Sequence, residues 1–211
     1  LTVLSISVSV PLSAEVVDRI AASVDSRVIT QSEVELQIRV AAFQDGTKPD
    51  LSPTHRRQAL EAMIDQKLIQ RDLENSRYPL PDASQLNPAI EQFKREHYPT
   101  DAAYQRALAS YAITDQDFRD LLIWEKTLSA FIDVRFASTS QVTGEQISDY
   151  FEKTVKPAAQ AVHPGQQVRL EDYRDQIERQ LAAERADAQM EAWLRGARRR
   201  VHVVIHEEAL K

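Results

Sequence analysis

Residues 16–30 read VVDRIAASVDSRVIT, and near the opposite end of the chain residues 201–205 read VHVVI. These two stretches decide the fold. In the first, Ile20, Ala22 and Val24 alternate with Arg19, Ala21 and Ser23, the period of a half-buried strand. Asp25-Ser26-Arg27 interrupts the run before Val28-Ile29, so the stretch predicts two short strands around a turn. Residues 201–205 predict a third. A strand alone leaves backbone N–H and C=O groups without partners, and those groups must be satisfied. The only other strand signals lie near the start of the chain. Val201–Ile205 is therefore expected to pair with Ile20–Val24 or with Val28–Thr30. Either pairing brings both ends of the chain into one sheet and folds the last helix back on the earlier ones.

The sequence between these strands is helical in pattern. Thr30-Gln31-Ser32-Glu33 is a capping box: the Thr hydroxyl accepts from the Glu33 amide, and the Glu33 carboxylate reaches back to the Thr30 amide. Val34, Ile38, Ala41 and Ala42 follow on one face. Ser52-Pro53 opens a second helix, with Ser as cap and Pro in the first helical position. Leu60, Met63, Ile64 and Leu68 form its buried stripe, and it ends near Asn75, ahead of Pro79 and Pro81. A third helix covers Ala89–His97 and starts at Asn87-Pro88 or as early as Asp82. Thr100-Asp101 opens a fourth, with Tyr104, Ala107, Leu108 and Tyr111 on one face. Thr114 to Asp117 caps a fifth, carrying Phe118, Leu121, Leu122, Leu128 and Ile132. Thr143-Gly144-Glu145-Gln146, a second capping box, precedes Ile147, Tyr150 and Phe151. Val155–Gln167 holds two prolines, several alanines and a glycine without a periodic stripe, and reads as a linker. A long amphipathic helix is expected from about Leu170 to Arg198. The fold class is mainly α: a helical bundle with a long C-terminal helix and a small β-sheet.

Composition narrows the function. The chain has 211 residues, 43% hydrophobic and 27% charged, and a net charge of −6. Those values are ordinary for a folded soluble domain. The acidic balance argues against a nucleic-acid footprint. There is no cysteine, which removes disulfides, thiolate nucleophiles and Cys-containing zinc sites. The glycines, Gly46, Gly144, Gly165 and Gly196, are too scattered for a P-loop or a GxGxxG turn, so no phosphate cradle is expected. Residues 1–14, LTVLSISVSVPLSA, carry no charge. They resemble the apolar core of a secretory signal peptide with a small-residue cleavage site after Ala14. On that reading the protein is exported; the alternative is an ordinary strand, since SISVSV alternates.

Taken in order, these segments resemble the SurA family of periplasmic chaperones. VVDRIAASVDSRVITQSEVELQIR (16–39) resembles its opening hairpin and first helix, and QALEAMIDQKLIQRDLE (58–74) its second helix. AYQRALASYAITDQDFRDLLIWEKTLSAFID (103–133) resembles the next pair. VTGEQISDYFEK (142–153) resembles the helix before the family's isomerase module, and LEDYRDQIERQLAAERADAQMEAWLRGARRRVHVVI (170–205) its C-terminal helix and closing strand. The resemblance implies a helical bundle of the SurA N-terminal type over 15–154 and a C-terminal helix and strand over 170–211. It also implies an ATP-independent periplasmic holdase for unfolded outer-membrane proteins. The family's parvulin prolyl isomerase domain is absent: residues 155–169 stand in its place, and a domain of ~100 residues does not fit there. Isomerase activity is therefore not carried over, and no enzyme activity is expected.

The holdase reading makes unfolded outer-membrane protein segments the partners and calls for no nucleotide, metal or cofactor. Phe93, Tyr104, Tyr111 and Trp124 are the candidate client-binding residues. Trp124 stands off the Leu121/Leu128 stripe, where partial exposure is expected. An exposed apolar patch with a polar rim marks an interaction surface. His202 and His206 would share one face of the last strand but lack a third metal ligand. Arg195, Arg198, Arg199 and Arg200 complement the negative end of the long helix. Two other function classes stay open: a prolyl isomerase family member without its own active site, and an interaction protein that dimerises by exchanging its C-terminal helix or strand.

Overall fold

The computed structural model of the chain describes residues 18–76, 78, 81–136 and 141–211. The signal-like segment 1–14 lies outside the described residues. Strands β1 (Ile20–Val24), β2 (Arg27–Thr30) and β3 (Val203–Ile205) form one antiparallel sheet in the order β2-β1-β3. The closing strand thus pairs with the first of its two expected partners, in the register Ala22–Ile205, Ser23–Val204 and Val24–Val203. It is shorter than the pattern predicts. At His202 the backbone is held by Asp25 instead: the Asp25 N–H donates to the His202 carbonyl and the His202 N–H to the Asp25 carboxylate, both at 2.9 Å. Asp25 occupies the hairpin turn with φ +52°, a left-handed conformation that Asp tolerates better than most residues. The strict alternation expected in β1 breaks at its start. The register shifts between Ile20 and Ala22; Ile20 is 46% exposed, while Ala21 and Ala22 are both fully buried. A bulge of this kind turns one extra residue out of the ladder.

Helices α1 (Gln31–Gln44), α2 (Pro53–Glu74), α3 (Asn87–His97), α4 (Asp101–Ser110) and α5 (Asp115–Phe136) follow. The starts of α1, α2, α4 and α5 are set by side chains. The Thr30 box is formed in both directions. The Ser52 hydroxyl accepts from the His55 amide, and the Thr100 hydroxyl from the Ala103 amide. At α5 the Thr114 hydroxyl accepts from the Asp117 amide at 3.1 Å, and the Asp117 carboxylate accepts from the Thr114 amide at 2.7 Å. Both alternatives for the third helix are realised in sequence: a 3-10 turn over Ala83–Leu86, capped by Asp82, leads into α3 at Asn87. Two helix ends use the same device. After α1, Gly46 (φ +64°) lets the Thr47 N–H reach the Ala42 carbonyl at 2.9 Å. After α4, Ala112 (φ +53°) lets the Ile113 N–H reach the Leu108 carbonyl at 3.1 Å. Both are Schellman closures, which favour glycine at the left-handed position.

The expected linker is largely helical. Helix α6 (Gly144–Tyr150) runs through a π turn (Phe151–Val155) into α7 (Lys156–Val162). Pro157 has no N–H and its ring crowds the preceding turn. The chain widens there, with the Lys156 N–H donating to the Phe151 carbonyl, and the alanines beyond then continue the helix, as alanine does best. Only residues 163–169 connect to the last segment. The long helix also starts later than expected: a 3-10 turn over Leu170–Asp172 precedes α8 (Arg174–Arg198).

The apolar residues gather in four clusters. Beside the sheet, Ala21, Ala22, Val24 and Ile29 meet Leu60, Ile64 and Leu68 of α2 and Ala197 of α8. Around Phe43, an aromatic lobe joins α1 to α3, α4 and α5. Along α8, Met190, Trp193 and Leu194 pack on Ile69 and Leu73 of α2 and Phe131 and Phe136 of α5. At the tip, Ile177 of α8 packs on Ile147 and Phe151. One charged contact fastens α8 to α2. Arg198 donates from Nε to Asp65 at 2.7 Å and from Nη1 to Glu61 at 2.6 Å. Burial raises the Asp65 carboxyl above its ordinary range. Burial acts on Glu61 too, but the Arg198 and Arg57 guanidiniums outweigh it and hold that carboxyl below its range.

Candidate peptide groove between α1, α2 and α5

Two depressions meet at Trp124. One, of about 180 Å³, lies between α1, α2 and α5. The other, of about 590 Å³, continues along α2 and α5 as far as Pro81. They share Gln66, Asp120 and Trp124, so they form one groove. Helical periodicity explains the lining. On α2, Met63, Gln66, Lys67, Gln70 and Glu74 stand three or four residues apart and share a face. On α5, Asp117, Asp120, Leu121 and Trp124 do the same. The floor is apolar, from Leu36 and Val40 of α1, Met63 of α2, and Leu121 and Ile123 of α5. Openness to solvent at one side and apolar walls at the other is the usual form of a ligand-binding cleft.

The polar groups of the groove fall into two kinds. The carboxylates Glu33 and Asp117 are bound to the helix starts they cap, and Asp120 accepts from the Gln116 amide at 2.7 Å. Glu74 is paired with Arg27. Against the three remaining carboxylates stands Lys67, which makes no ion pair with a described residue, so the groove is negative. The second kind is amide: Gln37, Gln66 and Gln70 are half-buried, and none makes a side-chain hydrogen bond to another described residue. Each offers two donors and an acceptor.

The four residues named from the sequence separate here. Trp124 lines the groove. Phe93, Tyr104 and Tyr111 gather instead around Phe43, at ring distances of 5.7, 6.0 and 5.5 Å. Tyr104 is corrected from contact residue to core residue: it is fully buried, and its hydroxyl donates to Asp115 at 2.7 Å. Burial, then the Asp115 carboxylate, pushes its phenol pKa well above the ordinary value. Asp115 itself is opposed by burial, yet the Tyr104 hydroxyl and Arg119 hold it below the carboxylate range. Tyr111 is half-buried, and its hydroxyl donates to the Thr47 carbonyl at 2.8 Å. Phe93 is half-buried, its ring tilted against those of Phe118 at 4.8 Å and His97 at 4.6 Å. The sequence reading missed the glutamines. The available signal was Gln66 and Gln70 at i and i+4 beside the Leu68/Ile69 stripe, a spacing that puts two amides on one flank.

His202 and His206 flank β3. Among the described residues no three His, Asp or Glu side chains are placed to hold a metal. No helix of the described residues is long and apolar enough to cross a membrane. Of the four arginines near the end of α8, Arg198 is taken by Glu61 and Asp65, and Arg195 by Glu191. No protein-family model and no curated protein sequence matches the chain.

Proposed function

We propose that this chain is an ATP-independent periplasmic holdase that captures unfolded outer-membrane protein segments in the groove at Trp124. The observation that carries the reading is the groove's make-up: an apolar floor, an aromatic side chain shared by its two parts, and half-buried glutamines whose amides have no partner among the described residues. Unfolded β-barrel strands alternate apolar and polar residues. Such a segment can turn one face to the floor and leave the other in water. Binding of this kind is weak for its area, because the segment must be ordered as it binds, and release is correspondingly easy. Capture lowers the free concentration of the unfolded chain without any nucleotide. The family resemblance of the segments 16–39, 58–74, 103–133, 142–153 and 170–205 supports the same function and the same compartment.

The test is light scattering of a urea-diluted outer-membrane porin with and without the protein, in the absence of ATP. Delayed aggregation at near-stoichiometric protein is the expected result. Trp124→Ala should shorten the delay when both proteins are assayed well below the melting temperature of the variant, which falls because the ring also packs on the cluster around Ile69 and Leu73. Aggregation unchanged at a large excess of protein would overturn the reading.

A further inference from the structure

The groove carries more than a preference for apolar surface. Gln66 and Gln70 lie one helical turn apart on α2. Four residues along a helix advance about 6 Å. Two residues along an extended chain advance about 6.8 Å, and that is the interval at which backbone groups facing the same side recur. The two amides therefore match the repeat of an extended backbone laid parallel to α2. Neither is occupied by another described residue, although both are half-buried. Their amide groups are open to solvent, so a ligand backbone can take the place of water on them. On the opposite wall, Asp117 and Asp120 place two carboxylates beside Trp124.

We infer that the groove selects extended, cationic stretches of unfolded polypeptide. The backbone bonds to Gln66 and Gln70, an apolar side chain rests on Trp124, and a neighbouring lysine or arginine faces Asp117 and Asp120. This rests on the holdase reading above and adds a selectivity that reading does not contain. The amides read backbone and so tolerate sequence; the carboxylates supply the discrimination. Charge complementarity of this kind acts through association and register, and weakens with salt.

The experiment uses fluorescence anisotropy with two labelled peptides. Each alternates valine and threonine around a central tryptophan; one carries lysine on both flanks, the other glutamate. The lysine peptide is expected to bind about tenfold more tightly at low salt, with the gap closing as salt rises. Asp120→Asn should narrow the gap. The double variant Q66M/Q70M keeps the side-chain volume but removes both amides, and should weaken both peptides severalfold while preserving the lysine preference. A lysine peptide N-methylated on alternate backbone nitrogens tests the same bonds without altering the protein, and should bind as weakly as the double variant shows. Equal affinity for the two charged peptides would overturn the inference. So would full affinity of the N-methylated peptide, or of the folded double variant. If porin aggregation is still delayed in the same preparation, the inference falls alone; if that delay is also absent, the holdase reading falls with it.

Discussion

The two halves of α8 are held in different ways. The C-terminal half is fastened at several points that lie far apart in the chain. Met190, Trp193 and Leu194 join α2 and α5, Ala197 joins the sheet, and Arg198 reaches Glu61 and Asp65. In the N-terminal half the buried side chain is Ile177, whose cluster is built from Ile147 of α6, Phe151 of the π turn and partly buried neighbours such as Val142 and Leu170. Around it the contacts are partly buried or polar, such as the Gln180 amide donating to the Tyr150 hydroxyl at 2.7 Å. The difference separates a region whose loss unfolds the molecule from one that can open by itself. Stability is not uniform across a fold, and elements with few buried apolar contacts open first.

The largest effect is expected at the well-fastened end. Trp193→Ala removes a ring that packs on Phe131 at 5.2 Å and should cost about 3 kcal/mol. Thermal melting should show it as a drop in the midpoint of one cooperative transition. Ile177→Ala should cost about 2–3 kcal/mol locally. Hydrogen exchange should then speed up over 144–181 while the sheet and α2 keep their protection. If Ile177→Ala instead lowers protection everywhere, the two halves of α8 are one cooperative unit and the comparison fails.

Arg198→Met should cost about 1–3 kcal/mol at neutral pH, less than a fully buried pair because the contact is partly solvated. Its pH dependence carries the sharper test. With the Arg198 guanidinium gone, burial acts unopposed on Asp65 and raises that carboxyl further in the folded state, while Arg57 still stands beside Glu61. A carboxyl raised on folding contributes stability below its unfolded value and loses it as pH rises through the folded one. The variant's deficit should therefore be small near pH 4 and reach its full size by pH 7 in urea titrations. In the aromatic lobe the phenol gives the alkaline counterpart. Tyr104 ionises in the unfolded chain near its ordinary value and above it in the folded protein, so stability should fall above about pH 10, by at most about 1.4 kcal/mol per pH unit. Tyr104→Phe should reduce that alkaline slope and leave the part due to Tyr98, whose phenol burial also raises.

The smallest expected effect compares the two Schellman closures. Ala112 adopts the left-handed conformation that Gly46 adopts without a side chain. Ala112→Gly should raise stability by about 0.5 kcal/mol, the relief of a Cβ strain offset by the greater freedom of glycine when unfolded.

The parts of this fold that were legible in the sequence are those set by neighbours in the chain. Thr30 and Thr143 announce their helices because the capping partner sits three residues on. The closing strand was legible through a different argument: Val203–Ile205 had to pair, and few partners existed. What was not legible depended on distant packing. Pro157 was read as a break because a proline ends a helix unless the turn before it widens, and the π turn at Phe151 supplies that widening. Tyr104 looked like a contact residue because a stripe of apolar side chains does not say how deeply it is covered; the covering comes from Phe43 and Tyr98 on other elements. Nothing in the apolar stripe of α2 marks Gln66 and Gln70. Only the approach of α5, with Trp124, makes them the wall of a groove.

The pairing of β3 with β1 also fixes an order of events. Asp25 and His202 are joined by two hydrogen bonds across 177 positions. The β1–β2 hairpin and the helices of the aromatic lobe can form from local contacts, which makes them fast. The third strand cannot join until all of α8 has been made. Until then the middle strand of the finished sheet is an edge, with one row of backbone groups open to any extended chain nearby. Closing so long a loop adds little free-energy cost beyond that of a shorter one, since the cost grows only with the logarithm of length. The last strand therefore acts as a completion signal: its arrival pairs the free side of β1 and leaves the short strands β2 and β3 as the edges of the sheet.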